Sequence, residues 1–390
     1  MKIVYLASMY DEETYKKIFV KSSKPIPQAG KYHRLMCEGL VKNGVEVKTI
    51  ASLPINKEYY DGGRIKAFSK EQNGIVYRYL STTNNPLVKA IYHYFGSKRT
   101  VKKEKSANVL VVDYLNIFAV RGAVKAAKRK RIKVIGIVTD LPEFLSMNKI
   151  IRKLMYDNLR MCDGYVFLSE QMNERVNPDK KPYIVLEGHS DSQMTDRKHY
   201  VADEGKKIIL YAGSCYPQYG ILDLCRAFNK VYREDEELHI YGGDDAQKLT
   251  EVLGEENKNI KLFGVVPNSV VVEAELHASL LVNPRRGDEE FTKYSFPSKT
   301  MEYMATGTPV LMYDLPGMPR EYLEYFFLID HTDDPVDAIG KAIRAVLDSE
   351  IDLCDFGNRA KEFVLKNKNN VIQAKKLIDF SNILSNDSGD

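Results

Sequence analysis

The strongest constraint on the fold is an alternation of short apolar runs with helical stretches that occurs twice along the chain. In the first half, apolar runs such as Lys2–Ser8 and Lys133–Val138 predict strands, and stretches such as Lys31–Asn43 predict helices. Apolar strands separated by helices indicate a parallel sheet that is covered on both faces. The alternation stops in a polar stretch, residues 191–205, and starts again at Lys207–Ala212. The sequence therefore predicts an α/β protein with two Rossmann-like, doubly wound domains in series.

The length of 390 residues also favours two domains, because it exceeds what one ordinary hydrophobic core contains. We predict a first domain over residues 1–190, a linker over 191–205 and a second domain over 206–365. A final helix is expected from Asn358 onward, with residues 366–390 returning to the first domain. Two such domains place ligand crevices at the carboxyl ends of their strands and a larger cleft between the domains.

Charge is distributed unevenly along the chain. Residues 1–200 hold 36 Lys and Arg against 20 Asp and Glu, whereas the remaining residues hold 21 against 33. The basic excess is densest at residues 98–105 and 125–133. Together with the aromatic residues at 92–95, these runs favour a peripheral contact with an anionic membrane, although a solvated helix face explains either run alone. No nucleic-acid-binding motif accompanies the charge, so nucleic acid is not an expected partner.

The cysteines and the apolar runs indicate the compartment. Five cysteines are widely spread and form no Cys-x-x-Cys pair, so neither a disulfide framework nor a zinc site is expected. No run of about 18 apolar residues could span a bilayer. The first apolar run, residues 2–8, is too short for a signal peptide. We therefore expect a cytoplasmic protein, with the inner face of the membrane as the place of the peripheral contact.

The densest chemical signal lies in the segment from residue 283 to residue 310. A strand ends at Asn283, and a loop that contains Arg285, Arg286 and Lys293 leads to a helix that opens near Ser298. A helix N-terminus presents free N–H groups and the positive end of the helix dipole, so a diphosphate can bind there. The arginines and lysine would add charge-assisted hydrogen bonds.

The helix that opens near Ser298 also carries a carboxylate. Glu302 lies one turn beyond Ser298 on the same face, where it could accept the hydroxyl protons of a ribose. Lys299 would add a further positive charge for the phosphates. Residues 307–309, Gly-Thr-Pro, then end the helix and turn into the next strand.

This segment resembles the retaining nucleotide-sugar glycosyltransferases of glycosyltransferase family four, which belong to the glycosyl transferases group 1. Their hallmark is Glu-x7-Glu followed by a small-x-Gly-x-Pro-Val strand entry. Glu302 matches the second glutamate and Tyr294 replaces the first, with Glu289 and Glu290 nearby as substitutes or as a solvated acidic loop. The resemblance covers nearly the whole chain and implies the GT-B fold, in which two Rossmann-like domains face a central cleft.

The resemblance also implies the site residues. Ser214 and Tyr219 stand where family members often carry an Arg and a Lys for the donor phosphates. Asp140 matches the family's acceptor-side segment, with a turn-forming role before Pro142 as the equal alternative. We expect Asp140, Tyr294 and Lys299 to be catalytic. The expected donor-binding residues are Gly30, Gly213, Ser214, Tyr219, Gly243, Val265, Arg285, Lys293, Ser295, Ser298 and Glu302.

The activity that the resemblance implies is transfer of a hexosyl or related sugar, with retention, from a nucleotide-diphosphate sugar to a glycan or lipid-linked acceptor. The expected pathway is surface polysaccharide or glycoconjugate biosynthesis. The departing diphosphate would help to deprotonate the acceptor, so positive charge at the β-phosphate matters more than a protein base. His33 and His189 are candidate bases, but isolated histidines are more often ordinary polar residues.

No cofactor is expected, because the nucleotide sugar is a substrate and no Asp-x-Asp pair is present to hold a metal. Asp244 and Asp245 are adjacent and would point to opposite faces of an extended strand. Two other functions remain open. One is another GT-B enzyme, such as an epimerase, which would require carboxylates and histidines in the cleft. The other is a catalytically silent GT-B subunit that binds a partner transferase or glycan, which the replaced charged residues favour.

Overall fold

The chain divides into two compact units. A computed structural model describes residues 1–19, 30–57, 60, 62–199, 205–243, 249, 258–332 and 334–386. The first unit comprises Met1–His189 with Asn370–Asp390, and the second comprises Ser190–Asn369. The predicted linker therefore falls within the second unit, where Ser192–Asp196 forms a 3-10 helix. The return to the first unit comes after residue 369, because an unbroken helix extends through residue 366 to Asn367.

The first unit contains an eight-stranded sheet. The strand order is β3-β4-β2-β1-β5-β6-β7-β8, and only β3 is antiparallel to its neighbour. The chain thus starts in the middle at β1, moves outward on one side and returns to the other side with β5. The elements, numbered along the whole chain, are β1 (Lys2–Ser8), α1 (Glu12–Phe19), α2 (Gly30–Lys42), β2 (Glu46–Ser52), β3 (Phe68–Gln72), β4 (Ile75–Tyr79), α3 (Pro86–Lys103), β5 (Val109–Asp113), α4 (Ile117–Arg129), β6 (Lys133–Val138), α5 (Lys149–Arg160), β7 (Gly164–Phe167), α6 (Gln171–Val176), β8 (Tyr183–Val185) and α12 (Asn370–Asn386).

The second unit contains a six-stranded sheet whose strands are all parallel. Their order is β11-β10-β9-β12-β13-β14, which is the doubly wound 3-2-1-4-5-6 arrangement. The predicted α/β class with two doubly wound sheets is therefore confirmed. The described elements are β9 (Lys207–Ala212), α7 (Ile221–Val231), β10 (Glu236–Tyr241), β11 (Ile260–Gly264), α8 (Asn268–His277), β12 (Leu280–Asn283), α9 (Ser298–Thr306), β13 (Val310–Met312), β14 (Phe327–Leu328), α10 (Pro335–Leu347) and α11 (Leu353–Asn367).

The central strands are apolar on both faces because helices cover both sides of each sheet. Every residue of β5 is buried, and β1 is buried from Lys2 to Ala7. On one side of the first sheet, α3 packs closely on α4, since Gly122 has no side chain. A Cβ built on Gly122 would lie 2.1 Å from the carbonyl oxygen of Tyr94, so any larger residue would separate the two helices.

A buried carboxylate links the first strand of the chain to the edge of the first sheet. Asp11 is buried and accepts hydrogen bonds from Thr14 N at 3.0 Å, Tyr79 Oη at 2.7 Å and Lys70 Nζ at 2.7 Å. Burial tends to raise the pKa of Asp11, but the hydrogen bonds from Lys70 and Thr14 outweigh it and lower that pKa to about 2. The ionised form therefore stabilises the first unit.

We expect Asp11→Asn to remove on the order of 2 kcal/mol of stability at neutral pH, given the size of the pKa shift. Because the pKa is lower in the folded state, this contribution is complete above the unfolded pKa of about 3.9 and is lost as the pH falls toward 2. Urea denaturation followed by circular dichroism at pH 7, 4 and 3 measures it. The control Glu13→Gln alters the exposed second partner of Lys70 and should cost less than about 0.5 kcal/mol. Equal losses of stability in both variants would contradict the stabilising role of the ionised Asp11.

Candidate functional site

The carboxyl edge of the second sheet contains a topological switch point. The chain leaves β9 toward β10 on one side, whereas β12 pairs with β9 on the other side. In doubly wound sheets, ligands bind in the crevice outside the strand ends at such a point. Gly213 and Ser214 follow β9, and Arg285 follows β12 after one intervening proline. Three of the predicted donor-binding residues thus flank this crevice.

Glycine backbones form the rim of the crevice at the ends of three neighbouring strands. Gly213 N donates to Tyr241 O at 2.9 Å, and Gly242 N donates to Gly264 O at 2.8 Å. Gly242 has a φ of +135°, and a Cβ there would lie 1.8 Å from Gly213 O. The three strand ends can therefore approach each other only because these positions lack side chains.

Two predicted donor-binding residues, Gly243 and Val265, lie together at the far end of this rim. A Cβ on Gly243 would lie 3.4 Å from a Cγ atom of Val265, and Val265 is exposed. The adjacent Phe263 ring stacks on Tyr241 with centroids 4.5 Å apart. Gly243 and Val265 thus form a small apolar surface next to the glycine rim.

A second close backbone contact joins the loops after β9 and β12. Gly220 adopts a φ of +77°, and a Cβ there would lie 2.2 Å from the carbonyl oxygen of Pro284. The preceding 3-10 turn, Pro217–Tyr219, is thereby held beside the loop that carries Arg285. Sequence reasoning identified both loops but did not predict their contact.

Arg285 is held by aromatic rings and a hydroxyl group. Its guanidinium carbon lies 4.3 Å from the ring centroid of Phe291 and 5.6 Å from that of Tyr219. Its Nη2 atom donates to Ser295 Oγ at 2.8 Å. Arg286, in contrast, pairs with Asp288 through its Nε atom at 2.5 Å. The structure therefore brings together Tyr219, Arg285 and Ser295, and it distinguishes two arginines that the sequence treats alike.

The N-terminus of α9 carries the predicted ribose-binding carboxylate. Pro297 precedes the helix and makes no side-chain cap, and Ser298 is exposed, so the first N–H groups of α9 have no capping side chain. Glu302 accepts hydrogen bonds from Asn268 Nδ2, at 3.2 Å to each carboxylate oxygen, and from Lys299 Nζ at 2.5 Å. Asn268 opens α8, so two helix N-termini meet at Glu302.

Lys299 lies between two carboxylates. Besides Glu302, it approaches the fully buried Glu275, with Nζ and Oε1 3.8 Å apart. Burial tends to lower the pKa of Lys299, but the two carboxylates outweigh this effect and raise it. Lys299 is therefore positively charged and holds Glu302 in position, whereas the sequence predicted it to face the phosphates.

Three residues of this site were not predicted from the sequence: Asn268, Glu275 and Tyr303. The buried Tyr303 hydroxyl accepts from Ala212 N at 2.7 Å and donates to Ala212 O at 3.2 Å, which joins α9 to the end of β9. These contacts link elements that are far apart along the chain. Only the position of Asn268 directly after Pro267 could have suggested a helix start.

The loop before α9 is fixed through its backbone. A Cβ on Gly317 would lie 2.6, 3.0 and 2.7 Å from the carbonyl oxygens of Thr292, Lys293 and Ser295. Within this loop Tyr294 is half-buried and Lys293 is exposed. Both predicted residues are thus placed by the 3-10 helix Glu290–Tyr294 and its packing on Gly317.

The first unit has its own switch point, between β1 and β5. A Cβ on Gly30 would lie 3.2 Å from Met9 Cα, so α2 starts directly against the end of β1. His33 on α2 is buried between Tyr5 Oη, 2.9 Å from Nδ1, and Asp113 Oδ2, 3.3 Å from Nε2. Asp140 is exposed just after β6, and its carbonyl oxygen accepts from the Tyr114 hydroxyl.

The two histidines considered as bases are both buried. Burial lowers the pKa of His189 to about 4, and its Nε2 atom donates to Tyr32 O at 2.9 Å. Both ring nitrogens of His33 have partners. These contacts agree with ordinary structural roles for both residues.

No cluster of three or more His, Cys, Asp and Glu side chains suited to a metal occurs within the described residues. Asp244 and Asp245 lie outside the described residues. In the described part of the chain, no helix combines the length and the apolar character needed to cross a bilayer.

Comparisons with known proteins agree with this architecture. Residues 206–349 match the family of glycosyl transferases group 1. Among curated proteins, the sequence has no significant match. Sucrose-phosphate synthase from Thermosynechococcus elongatus superposes with a TM-score of 0.70 at 14% identity, covering 98% of this chain and 99% of that one. The fold is GT-B.

Two further solved structures support the same fold over the whole chain. A glycosyltransferase from Rickettsia africae has a TM-score of 0.68 at 13% identity and covers 98% of both chains. Anabaena HepE in complex with UDP has a TM-score of 0.64 at 14% identity, covering 97% of this chain and 99% of that one. The segment that matches the glycosyl transferases group 1 family, residues 206–349, lies within the second unit of this GT-B protein.

We expect Gly242→Ala to destabilise the second unit by about 3 kcal/mol or more, since the new methyl group would overlap Gly213 O and the backbone φ is unfavourable for alanine. Gly63→Ala is the control, because a Cβ there meets no atom within 4 Å. Urea unfolding of both variants measures the difference. A Gly242→Ala protein as stable as the control would show that the strand ends can separate without cost.

Proposed function

We propose that this protein is a retaining glycosyltransferase that moves a hexosyl or related sugar from a nucleotide-diphosphate sugar to a glycan or lipid-linked acceptor. The proposed setting is surface polysaccharide or glycoconjugate biosynthesis at the cytoplasmic face of the membrane. The observation that carries the proposal is Glu302, a carboxylate held at the N-terminus of α9 within a glycosyl transferases group 1 domain. The GT-B fold supports the same activity.

The site separates a negative region from a positive one. Glu302 lies on one side with Glu275 and Lys299, and its carboxylate oxygens can accept hydrogen bonds from ribose hydroxyl groups. The uncapped N-terminus of α9 and the Arg285 guanidinium suit a diphosphate. Gly243 and Val265 provide a surface for the base. The binding of UDP by HepE, a structure with the same fold, supports a nucleoside diphosphate as the donor group.

Arg285 compensates for the charged residues missing from the loop after β9. Ser214 and Tyr219 occupy the positions where a resembling enzyme would often carry phosphate-binding cations. The Tyr219 ring instead lies against Arg285, whose planar fork can bind two phosphate oxygens at once. We therefore assign the main phosphate charge to Arg285, with Lys293 as an exposed second cation.

The proposed reaction needs little acid–base chemistry from the protein. The acceptor oxygen bonds to the anomeric carbon on the face from which the diphosphate leaves, while the bond between that carbon and the phosphate oxygen breaks. The acceptor proton passes to the departing diphosphate. Arg285 and the N–H groups of α9 stabilise the negative charge that develops there. Asp140, on the first unit, is proposed as an acceptor-side hydrogen-bond partner.

A second candidate function rests on Tyr294, which stands where the family motif carries a carboxylate. A protein without that carboxylate could bind a nucleotide sugar and present it, or a glycan, to a partner transferase. Hydrolysis of nucleotide sugars by the purified protein separates the two functions. Turnover supports the enzyme, and binding without turnover supports the silent subunit. If the purified protein neither binds nor hydrolyses a nucleotide sugar, both functions are excluded.

We expect Glu302→Gln to weaken binding of a nucleoside diphosphate by about tenfold to a hundredfold, because a charge-assisted pair of hydrogen bonds to the ribose is lost. Lys299→Met should have a smaller effect, as it acts through Glu302. Thermal shift across UDP, GDP and ADP and their sugars measures both. The control Glu350→Gln removes an exposed carboxylate elsewhere in the second unit and should bind like the wild type. Unchanged binding by Glu302→Gln would remove Glu302 from the site.

Arg285→Lys should weaken nucleoside diphosphate binding by about tenfold, because an ammonium cannot bind two phosphate oxygens in one plane. The neighbouring Arg286→Lys is the matched control, since Arg286 pairs with Asp288 and should tolerate the change. Calorimetric titration with the diphosphate that gives the largest thermal shift compares the two. A larger loss of affinity for Arg286→Lys than for Arg285→Lys would assign the phosphate contact to Arg286 instead.

A further inference from the structure

Helix α3 presents a row of exposed apolar side chains. Leu87, Ile91 and Phe95 are 76%, 55% and 61% exposed, and their spacing of four residues aligns them along one face of the helix. Arg99 and Lys102 continue this row, so it is apolar in its first turns and basic in its last. We name these five residues the α3 row. Large apolar side chains exposed in line indicate a contact surface rather than isolated surface residues.

The helix cannot turn this row inward, because its opposite face is fixed. His93, Ser97 and Val101 are buried, and Ser97 Oγ donates to Ala119 O on α4 at 2.7 Å. The close approach at Gly122 holds the same face against α4. The α3 row is therefore a permanent feature of the surface of the first unit.

A groove extends the apolar surface beside the row. It lies between α3 and the β3–β4 hairpin and has a volume of about 460 Å³. Its lining includes Phe68, Tyr79, Leu80, Ile91, Phe95 and Arg99. An apolar surface with a cation at its margin matches the chemistry of a lipid, which has an acyl chain and an anionic headgroup.

The charge around α3 favours an anionic partner. Residues 72–103 contain six Lys and Arg and no Asp or Glu. The next residue, Glu104, is buried and already paired with Lys2 and with Arg78, at 3.0 Å from the latter. A second copy of this chain fits the same face less well than an anionic surface, since the cations of the two copies would repel each other. An anionic bilayer satisfies both the apolar side chains and the cations.

We propose that the α3 row is the surface by which the protein docks on an anionic membrane. Leu87, Ile91 and Phe95 enter the boundary between headgroups and acyl chains, and Arg99 and Lys102 bind the headgroups. The sequence instead pointed to the whole aromatic cluster at residues 92–95. In the structure Tyr92 and Tyr94 are only partly exposed and lie under cations, such as Arg64 at 4.5 Å from the Tyr92 ring, so Phe95 alone belongs to the row.

The position of the row suits delivery of an acceptor, a point that rests on the proposed function. Helix α3 follows β4, so its first turn, with Leu87, lies at the carboxyl edge of the first sheet. Gly30 and Asp140 lie at the ends of β1 and β6 on the same edge. A lipid-linked acceptor held at the bilayer would thus reach the edge that carries Asp140, the predicted acceptor-side residue, and Gly30, a predicted donor-binding residue.

The test is co-sedimentation with vesicles of phosphatidylcholine alone or with about one third phosphatidylglycerol. We expect the wild-type protein to bind the anionic vesicles only and to dissociate in high salt. Ile91→Glu with Phe95→Glu, and separately Arg99→Glu with Lys102→Glu, should each lower the partition coefficient at least about tenfold. Ile383→Glu, which alters a 58% exposed residue on α12, and Lys366→Glu on α11 are matched controls that should bind normally.

Two outcomes would overturn the proposal: no binding of the wild-type protein to anionic vesicles, or equal losses in the row variants and the controls. A shift from dimer to monomer in the row variants, seen by analytical ultracentrifugation, would overturn it in favour of a second copy. Thermal shift with nucleoside diphosphates is measured in parallel on every variant. Normal nucleotide binding without vesicle binding rejects only the docking surface, whereas vesicle binding without nucleotide binding rejects only the proposed function.

Discussion

The candidate donor site depends on one close backbone contact, between Gly220 and Pro284. The loop after β9 and the loop after β12 meet there because Gly220 adopts a left-handed conformation and has no side chain. This contact puts the Tyr219 ring beside the residue that follows Pro284, which is Arg285. A Cβ at residue 220 would separate the loops and with them the cation from its ring. The phosphate side of the site is thus a consequence of backbone packing at the switch point.

The proposed ribose side has a different physical basis, which is charge compensation. Glu275 is fully buried, and an isolated buried carboxylate is costly, so Lys299 has to remain close to it. The same ammonium then bonds to Glu302 and fixes its orientation. Lys299 consequently has a charge-compensating role toward these two carboxylates. Arg285 is the proposed phosphate ligand, and aromatic rings and the Ser295 hydroxyl fix the position of its guanidinium group.

Sequence reasoning predicted those parts that local patterns determine. Strands such as Lys2–Ser8 and the helix beginning at Ser298 agree with the structure because their apolar period and their turn residues are local. The β3–β4 hairpin was missed, although Asn73 and Gly74, both with positive φ, form a typical hairpin turn. Its first strand is polar and exposed, so it lacked the apolar pattern. The different roles of Arg285 and Arg286 depend on partners brought close by the fold, which no local pattern encodes.

The two halves of the chain carry opposite net charges, and this difference has to be considered separately for each unit. The second unit is acidic as a whole, yet the proposed donor site uses one arginine and a helix N-terminus for the diphosphate, so the net charge of the unit does not argue against donor binding. Cations on the surface of the first unit act only over about 8 Å at physiological salt. The cations of α3 therefore influence only a partner that touches this helix directly. Since the apolar row is also on α3, the cations of this helix fit the proposed contact with a surface that is both anionic and apolar within a few ångströms, as a bilayer is.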